Sequence, residues 1–141
     1  MLYEISLRIA RGSYELETVY FGNGIIQIEN GIIEGIIARD YVTGSISEKR
    51  IEISTFDVDF YGSHELTTKG ENDIELPGIY TLYGGMYGMY EIAELEFKGE
   101  LAKNKKEKAL NEIKAIKKLA EIWKTKQALV IFIRITSVCC L

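Results

Sequence analysis

Proline, cysteine and histidine are nearly missing from this 141-residue chain, which holds one Pro, two Cys and one His. With Pro77 as the single proline and no Ser- or Pro-rich stretch, nothing resembles a linker, so we expect one domain over residues 1–141. The two cysteines, Cys139 and Cys140, are adjacent and cannot build a disulfide framework, which is typical of a reducing, cytoplasmic setting. So few His and Cys ligands predict no zinc site, and no motif predicts a cofactor.

Long apolar runs are missing as well. The longest run, residues 128–133, is far too short to cross a bilayer, so we predict no membrane span. The first four residues, Met1-Leu2-Tyr3-Glu4, carry an acid where a secretory signal carries bases, so we expect no such signal.

Charge is divided unevenly along the chain, although the formal net charge is only -4. Residues 1–102 carry 7 Lys or Arg against 18 Asp or Glu, whereas residues 103–127 carry 9 Lys against 3 Glu. A basic segment of this kind could contact the acidic body of its own chain, a neighbouring subunit, nucleic acid or an anionic membrane. The acidic body argues against nucleic acid, because it repels phosphates everywhere outside that segment.

Strict alternation begins at once, with Tyr3, Ile5, Leu7 and Ile9 on one face and polar residues between them. A period of two predicts a strand with one solvent-facing side. The same reasoning predicts further strands at about 14–21, 50–60, 79–83 and 89–97.

Turns are predicted from glycine dipeptides. Asn23-Gly24 and Asn30-Gly31 open two similar seven-residue segments, and Asn-Gly favours the type I′ hairpin turn, so we expect a tight meander. Thr43-Gly44 predicts another turn, and Gly84-Gly85 the centre of a hairpin. Between them, residues 62–73 are polar and predict a loop of about ten residues.

The period changes after residue 102. Residues 103–127 contain strong helix formers and no Gly or Pro, so they predict a helix. Its apolar residues share one arc, which we expect to pack on the rest of the protein; they are Ala109, Ile113, Ile116, Leu119, Ala120 and Trp123. Residues 129–136 are apolar on nearly both faces and predict a final, buried strand.

These elements predict a mainly β fold in which residues 1–100 form an up-and-down antiparallel β-barrel or a strongly curved meander. One amphipathic helix and a terminal strand follow. In element order this resembles the lipocalin-type (calycin) barrel, which implies a helix packed outside the barrel and an interior able to hold one small ligand.

Candidate catalytic groups are few. His64 lies in the polar loop beside Ser63 and near Asp57 and Asp59, which together could supply a nucleophile, a base and an orienting acid. Asp57 and Asp59 share one face of a strand, about 7 Å apart, and could also bind a cation. A surface histidine and a solvated acidic face explain the same residues, so we assign no catalytic residue and no metal ligand.

Aromatic residues and methionine gather in one short segment and form the candidate ligand-binding set, because rings and thioethers make an adaptable apolar surface; they are Tyr80, Tyr83, Met86, Tyr87 and Tyr90. Three functions follow. The first is a non-enzymatic intracellular binding protein that acts through a protein partner or self-association. The second is a lipocalin-like carrier of a small apolar or aromatic ligand. The third is a hydrolase-type enzyme that uses His64.

Overall fold

The computed structural model describes residues 1–56, 63–70, 73–86 and 89–139, and its side chains in the same ranges except 63, 86 and 127–139. Eight antiparallel strands follow each other around a closed barrel, in which the last strand pairs with the first. They are β1 (Leu2–Gly12), β2 (Glu17–Glu29), β3 (Ile32–Ile37), β4 (Asp40–Ile46), β5 (Ile51–Phe56), β6 (Ser63–Thr67), β7 (Gly78–Met86) and β8 (Met89–Glu100). The predicted barrel is therefore confirmed.

Alternation along the strands builds the core inside the barrel. In β1, Ile5, Leu7 and Ile9 are fully buried, and the inward positions of the other strands add further apolar side chains. These include Ile26, Ile33, Val42, Ile53, Leu66, Leu82, Leu95 and Phe97. Because these side chains come from all eight strands and contact one another, they fill the middle of the barrel.

The barrel has two ends, which the strand order defines. We call the end at which β1 finishes the distal end; β3, β5 and β7 finish there too, and the even-numbered strands begin there. The other, proximal end holds Met1 and the last residues of β8.

Only one of the two Asn-Gly dipeptides forms a turn. Asn30 and Gly31 both have positive φ, 52° and 75°, and connect β2 to β3 as predicted. Asn23-Gly24 lies inside β2 and Thr43-Gly44 inside β4, so both of those turn predictions are wrong. At Gly24 and Gly44 an added Cβ would lie 2.0 Å from a carbonyl oxygen of the next strand. At these two positions glycine allows neighbouring strands to approach each other closely, and the chain does not reverse direction there.

Two further loop predictions are wrong for related reasons. The stretch predicted as a loop, residues 62–73, contains β6, in which His64 pairs with Thr55 and Leu66 with Ile53. The predicted antiparallel pairing of β7 with β8 is confirmed, but Gly84-Gly85 is not its turn, because it lies within β7 and Gly85 pairs with Tyr90 of β8. Polar composition and glycine content suggested loops in both places. The predictions failed because a short stretch of sequence does not show which residues of other strands it pairs with.

The predicted helix is real but longer than expected. A 3-10 turn at Lys103–Lys105 leads into α1, which spans Lys106–Cys139. The predicted strand over 129–136 is wrong, because those residues continue α1, and α1 is the last described element. A short apolar run fits a buried strand and a buried helix equally well by periodicity. The strand after the helix that the calycin order implies is therefore not found in the described part of the chain.

Helix α1 packs lengthwise on the outside of the barrel. Near the proximal end Ala109 and Ile113 contact Leu2, and further along Ile116 and Ala120 contact Tyr41 of β4. Of the arc predicted to be buried, Leu119 is instead 48% exposed. Within the described residues, no helix carries an apolar stretch long enough to cross a bilayer.

Opposite charges support this docking. Lys117 of α1 donates a hydrogen bond of 3.1 Å to Glu34 of β3, and Lys106 reaches Glu100 at 3.3 Å. The hydrogen bond and charge of Glu34 raise the pKa of Lys117. Part of the positive charge of the basic helix therefore pairs with the acidic barrel of the same chain, which is one of the contacts expected from the charge distribution.

Candidate functional site

The described tyrosines of the candidate set lie on two different faces. Tyr80 points into the barrel, where its ring packs edge-on against Phe97 with centroids 6.2 Å apart. Its hydroxyl donates to the carbonyl of Glu75 and accepts from the amide of the same residue. Tyr80 therefore has two structural partners, Phe97 at its ring and Glu75 at its hydroxyl.

Tyr83 and Tyr90 lie on the outside. Strand pairing places Gly85 opposite Tyr90 and Ile92 opposite Tyr83, so the two tyrosines are diagonal neighbours on the outer face. Tyr87 and the side chain of Met86 lie outside the described residues. The structure thus brings together Tyr83 and Tyr90 but separates them from Tyr80, and a ligand-binding role for the set stays a prediction.

An apolar surface extends from these tyrosines across four strands. Ile92 pairs with both Tyr83 and Ala10. Phe21 of β2 pairs with Arg8 and follows Ala10 across the β-bulge between Ile9 and Ala10. Tyr90 is 66% exposed and Phe21 57% exposed. We call Ala10, Phe21, Tyr83, Tyr90 and Ile92 the outer patch.

Charged groups border the outer patch on both sides. The guanidinium of Arg8 lies 5.2 Å from the centre of the Phe21 ring, and the Lys69 ammonium lies 4.5 Å from that of Tyr83. Arg8 pairs across the strands with the exposed Glu94. An apolar centre with a charged edge is the composition of many protein contact surfaces.

A second candidate site lies just inside the distal end of the barrel, where it is partly exposed. Both Nε and Nη2 of Arg11 donate to Oε1 of Glu91, at 3.2 and 2.8 Å. The other carboxylate oxygen, Oε2, lies 2.8 Å from Nδ1 of His64. Because an ionised carboxylate only accepts, the imidazole donates from Nδ1, which leaves Nε2 as its second nitrogen. We call Arg11, His64 and Glu91 the distal triad.

Neighbouring groups hold His64 in place. Its backbone amide donates to the Thr55 hydroxyl at 3.3 Å, and the Tyr20 ring lies 5.9 Å from the imidazole. The Tyr20 hydroxyl in turn donates to the carbonyl of Ile37 at 3.1 Å. Three strands besides β6 therefore fix where the imidazole lies.

The pKa of Glu91 reflects two opposing effects. Burial acts to raise it, but the hydrogen bonds and charges of His64 and Arg11 outweigh burial and lower the pKa below its ordinary value of 4.5. The carboxylate is therefore ionised at neutral pH, inside a barrel whose other interior side chains are mainly apolar.

Reasoning from sequence missed Arg11 and Glu91. It looked for the acid partner of His64 at Asp57 or Asp59, which lie outside the described residues. A signal for Glu91 was present, since it is the charged member of an inward series that continues with Ala93, Leu95 and Phe97. Within the described residues, no group of His, Cys, Asp and Glu is arranged to hold a metal ion.

Helix α1 offers a third surface. Leu119 and Ile122, one turn apart, are 48% and 50% exposed, and the exposed Lys118 and Lys126 lie beside them. We call these four residues the helix ridge. Leu119 borders the buried face, one turn from Ile116, and Ile122 lies farther round the helix. Both side chains are about half exposed, so the chain's own barrel leaves much of the ridge uncovered.

Fold and sites together define an eight-stranded antiparallel β-barrel protein with a long C-terminal helix packed on its outer wall. No protein-family model matches the chain, and its sequence matches no curated protein.

Proposed function

We propose that this chain is a non-enzymatic, cytoplasmic binding protein that acts through protein contacts made by the outer patch, with a second copy of itself as the first partner to test. The observation that supports this proposal is the outer patch. The rings of Tyr90 and Phe21 at its edges are more than half exposed, and Ala10 and Ile92 lie between them, so that the patch extends over four strands. Exposed apolar surface of this kind on an ordered sheet marks interaction sites. The adjacent pair of cysteines supports the cytoplasmic assignment.

The position of α1 supports the same proposal. The helix contacts Leu2, Ile25, Ile36 and Tyr41, which belong to the starts of β1 and β4 and to β2 and β3. The outer patch lies nearer the distal end, on β7, β8, β1 and the first half of β2. The helix therefore does not shield it.

The filled interior favours surface contacts over the calycin-type alternative. A carrier needs space within the barrel, whereas fully buried side chains from all strands meet in its middle. Tyr80, which is the described inward member of the aromatic set, already packs on Phe97.

Removal of one exposed ring tests the proposal. We expect Tyr90→Ser to weaken self-association at least tenfold, because tyrosine is enriched among the few residues that carry most of the free energy of a protein contact. Sedimentation equilibrium over a range of concentrations measures it. Melting temperature should change little, since Tyr90 is mostly exposed and contributes little to the core.

Tyr14→Ser is the matched control, because Tyr14 is fully exposed in the turn between β1 and β2 and lies outside the outer patch. It should associate like the wild type. A wild-type protein that stays monomeric at every concentration, or a Tyr90→Ser variant that associates normally, would contradict the proposal.

The second candidate is a hydrolase-type enzyme with His64 as general base. One contact favours it: Glu91 orients the imidazole through Nδ1, which leaves Nε2 to take a proton from water. We expect any hydrolysis of p-nitrophenyl esters to disappear in His64→Gln and to fall in Glu91→Gln with a shifted pH profile. If the wild-type protein hydrolyses these esters no faster than buffer alone, the hydrolase function is contradicted.

A further inference from the structure

The final part of helix α1 differs in composition from the part that packs on the barrel. Residues 106–126 carry seven Lys and three Glu, whereas Arg134 is the single charged residue of 127–139. Six consecutive residues, 128–133, are apolar, and at 3.6 residues per turn they cover every side of the helix. We call residues 127–139 the apolar segment. A helix that is apolar all round is normally buried, either in a protein core or in a membrane.

The helix reaches the distal end of the barrel before the apolar segment begins. Ala120 packs with Tyr41, the second residue of β4, and the ammonium of Lys124 lies 5.4 Å from the centre of the Phe56 ring. Phe56 is the last residue of β5, so both contacts lie at the distal end. Helix α1 then continues over residues 125–139, which at about 1.5 Å per residue add about 22 Å. The strands on which the helix packs, β3 and β4, therefore do not run alongside the apolar segment.

Composition and length distinguish the two environments that could cover such a segment. Pairing with a helix of a second copy buries one stripe of each helix and leaves the other sides in water. A lipid bilayer surrounds a helix and so covers apolar residues on every side. The apolar segment is about 20 Å long, which exceeds the roughly 15 Å of hydrocarbon in one leaflet and falls short of the roughly 30 Å of both. It therefore suits insertion into one leaflet and not a span.

The residues just before the apolar segment are those that favour a membrane interface. Trp123 is half-buried, and the ammonium of Lys126 lies 5.4 Å from the centre of its ring. Trp is enriched where a membrane meets water, and lysine can bury its stem while its charge stays hydrated. Ile122 of the helix ridge is 50% exposed, and Leu129 and Ile133 follow on the same side of the helix, seven and eleven residues later. The exposed apolar line that begins in the ridge thus continues through the segment.

Arg134 is compatible with an oblique position of the segment in the leaflet. It follows Gln127 by seven residues, or two turns, so these two polar residues share one side of the helix. A helix tilted with that side toward the headgroups keeps both residues near water, and the long arginine side chain adds reach. Its charge then costs less than it would at the middle of a bilayer.

We propose that the apolar segment inserts into one leaflet of a phospholipid bilayer, with Trp123, Lys124 and Lys126 at the level of the headgroups. The barrel is then held at the membrane surface by its distal end. Burial of apolar side chains drives the insertion. Charge does not, since the acidic barrel and the lysines of α1 act in opposite directions on an anionic surface. This inference goes beyond the proposed function and does not involve the outer patch.

Sedimentation of the full chain with vesicles of neutral phosphatidylcholine tests the proposal. We expect Leu129→Ser with Phe132→Ser to lower vesicle binding at least tenfold, because two large apolar side chains are removed. The control is Ile32→Ser with Ile79→Ser, which removes two side chains that are 59% and 60% exposed near the proximal end of the barrel. It should bind vesicles like the wild type. Circular dichroism and melting temperature verify that both variants fold.

Trp123 provides a second readout, because it is the single tryptophan of the chain. Its emission should shift to shorter wavelength when vesicles are added to the wild type or to the control, and should not shift in Leu129→Ser with Phe132→Ser. Binding by the wild type should persist at roughly 1 M salt, since salt screens charges but does not weaken apolar burial.

Three results would each overturn the inference. They are a wild type that stays in the supernatant, a Leu129→Ser, Phe132→Ser variant that binds like the wild type, and binding that requires anionic lipid and is abolished by salt. If the wild type ignores vesicles but associates in solution, and this variant does not associate, a second copy covers the apolar segment and insertion is wrong. Tyr90→Ser tests the proposed function separately, and it should bind vesicles like the wild type.

Discussion

Gly44→Ala is expected to destabilise the barrel by about 3 kcal/mol, at the upper end of the usual cost of overpacking. An added Cβ at this position would lie 2.0 Å from the carbonyl oxygen of Glu52 and 3.0 Å from the Cα of Ile53. All of these atoms belong to the backbone of β5, so no rotamer change relieves the clash. The strands must move apart, and the pairs Gly44↔Ile53 and Ser45↔Glu52 would weaken with them.

Urea unfolding followed by far-ultraviolet circular dichroism measures this loss as a shift in the midpoint. Ser45→Ala is the matched control, since Ser45 is the next residue of β4 and is exposed, so its change should stay within about 0.5 kcal/mol. Equal stability of Gly44→Ala and Ser45→Ala would show that β4 and β5 do not approach as closely as described.

Glu91→Ala is the second large effect, with an expected loss of about 2–3 kcal/mol in the free energy of unfolding. Removing one partner of a buried ion pair costs roughly 3–5 kcal/mol, because the other charge stays buried and unpaired. The loss expected for Glu91→Ala is smaller than that range because Arg11 is 35% exposed and can recover part of its hydration.

The pH dependence isolates the charge of Glu91. Because folding lowers the pKa of this carboxyl, its contribution is fully present above the ordinary value of 4.5 and is lost as pH falls through the lower, folded value. Glu91→Gln retains the size of the side chain and an oxygen that can accept from Arg11, but its amide nitrogen cannot accept from His64 and the group cannot ionise. We therefore expect the wild type to be more stable than Glu91→Gln at pH 7, and the difference to shrink as the pH falls below 4.5 through the lower pKa of the folded state.

Other carboxyls titrate in both proteins and cancel in this difference. Unfolding midpoints of the two proteins measured from pH 7 to pH 3 provide the comparison. Parallel curves, with a constant gap at every pH, would mean that Arg11 and His64 do not stabilise the ionised form of Glu91.

Strand formation in β1 could be predicted from a short window because one face of that strand is buried and the other is wet. Tyr3, Ile5, Leu7 and Ile9 alternate with polar residues, and all four side chains face inward in the structure. The Asn30-Gly31 turn was equally accessible, since positive φ at both residues is a local property of the dipeptide.

Asn23-Gly24 shows where such reasoning stops. The same dipeptide that forms a turn at 30–31 continues β2 at 23–24, because Gly24 pairs with Ile5 on one side and Ile37 on the other. Those partners are distant in sequence, and no short window contains them. The distal triad depends on the same kind of contact, since β1, β6 and β8 bring Arg11, His64 and Glu91 together from widely separated positions.

Local sequence determined the period-two strands, the Asn30-Gly31 turn, and the start of a basic helix on an acidic body, because alternation, turn preference and charge act over a few residues. Tertiary structure decided that residues 129–136 extend α1 instead of forming a strand, that His64 meets Glu91, and that Tyr83 and Tyr90 lie outside while Tyr80 lies inside. The last two depend on closure of the barrel. Closure sets which strands are neighbours and which face of each is buried, and only long-range pairing provides that.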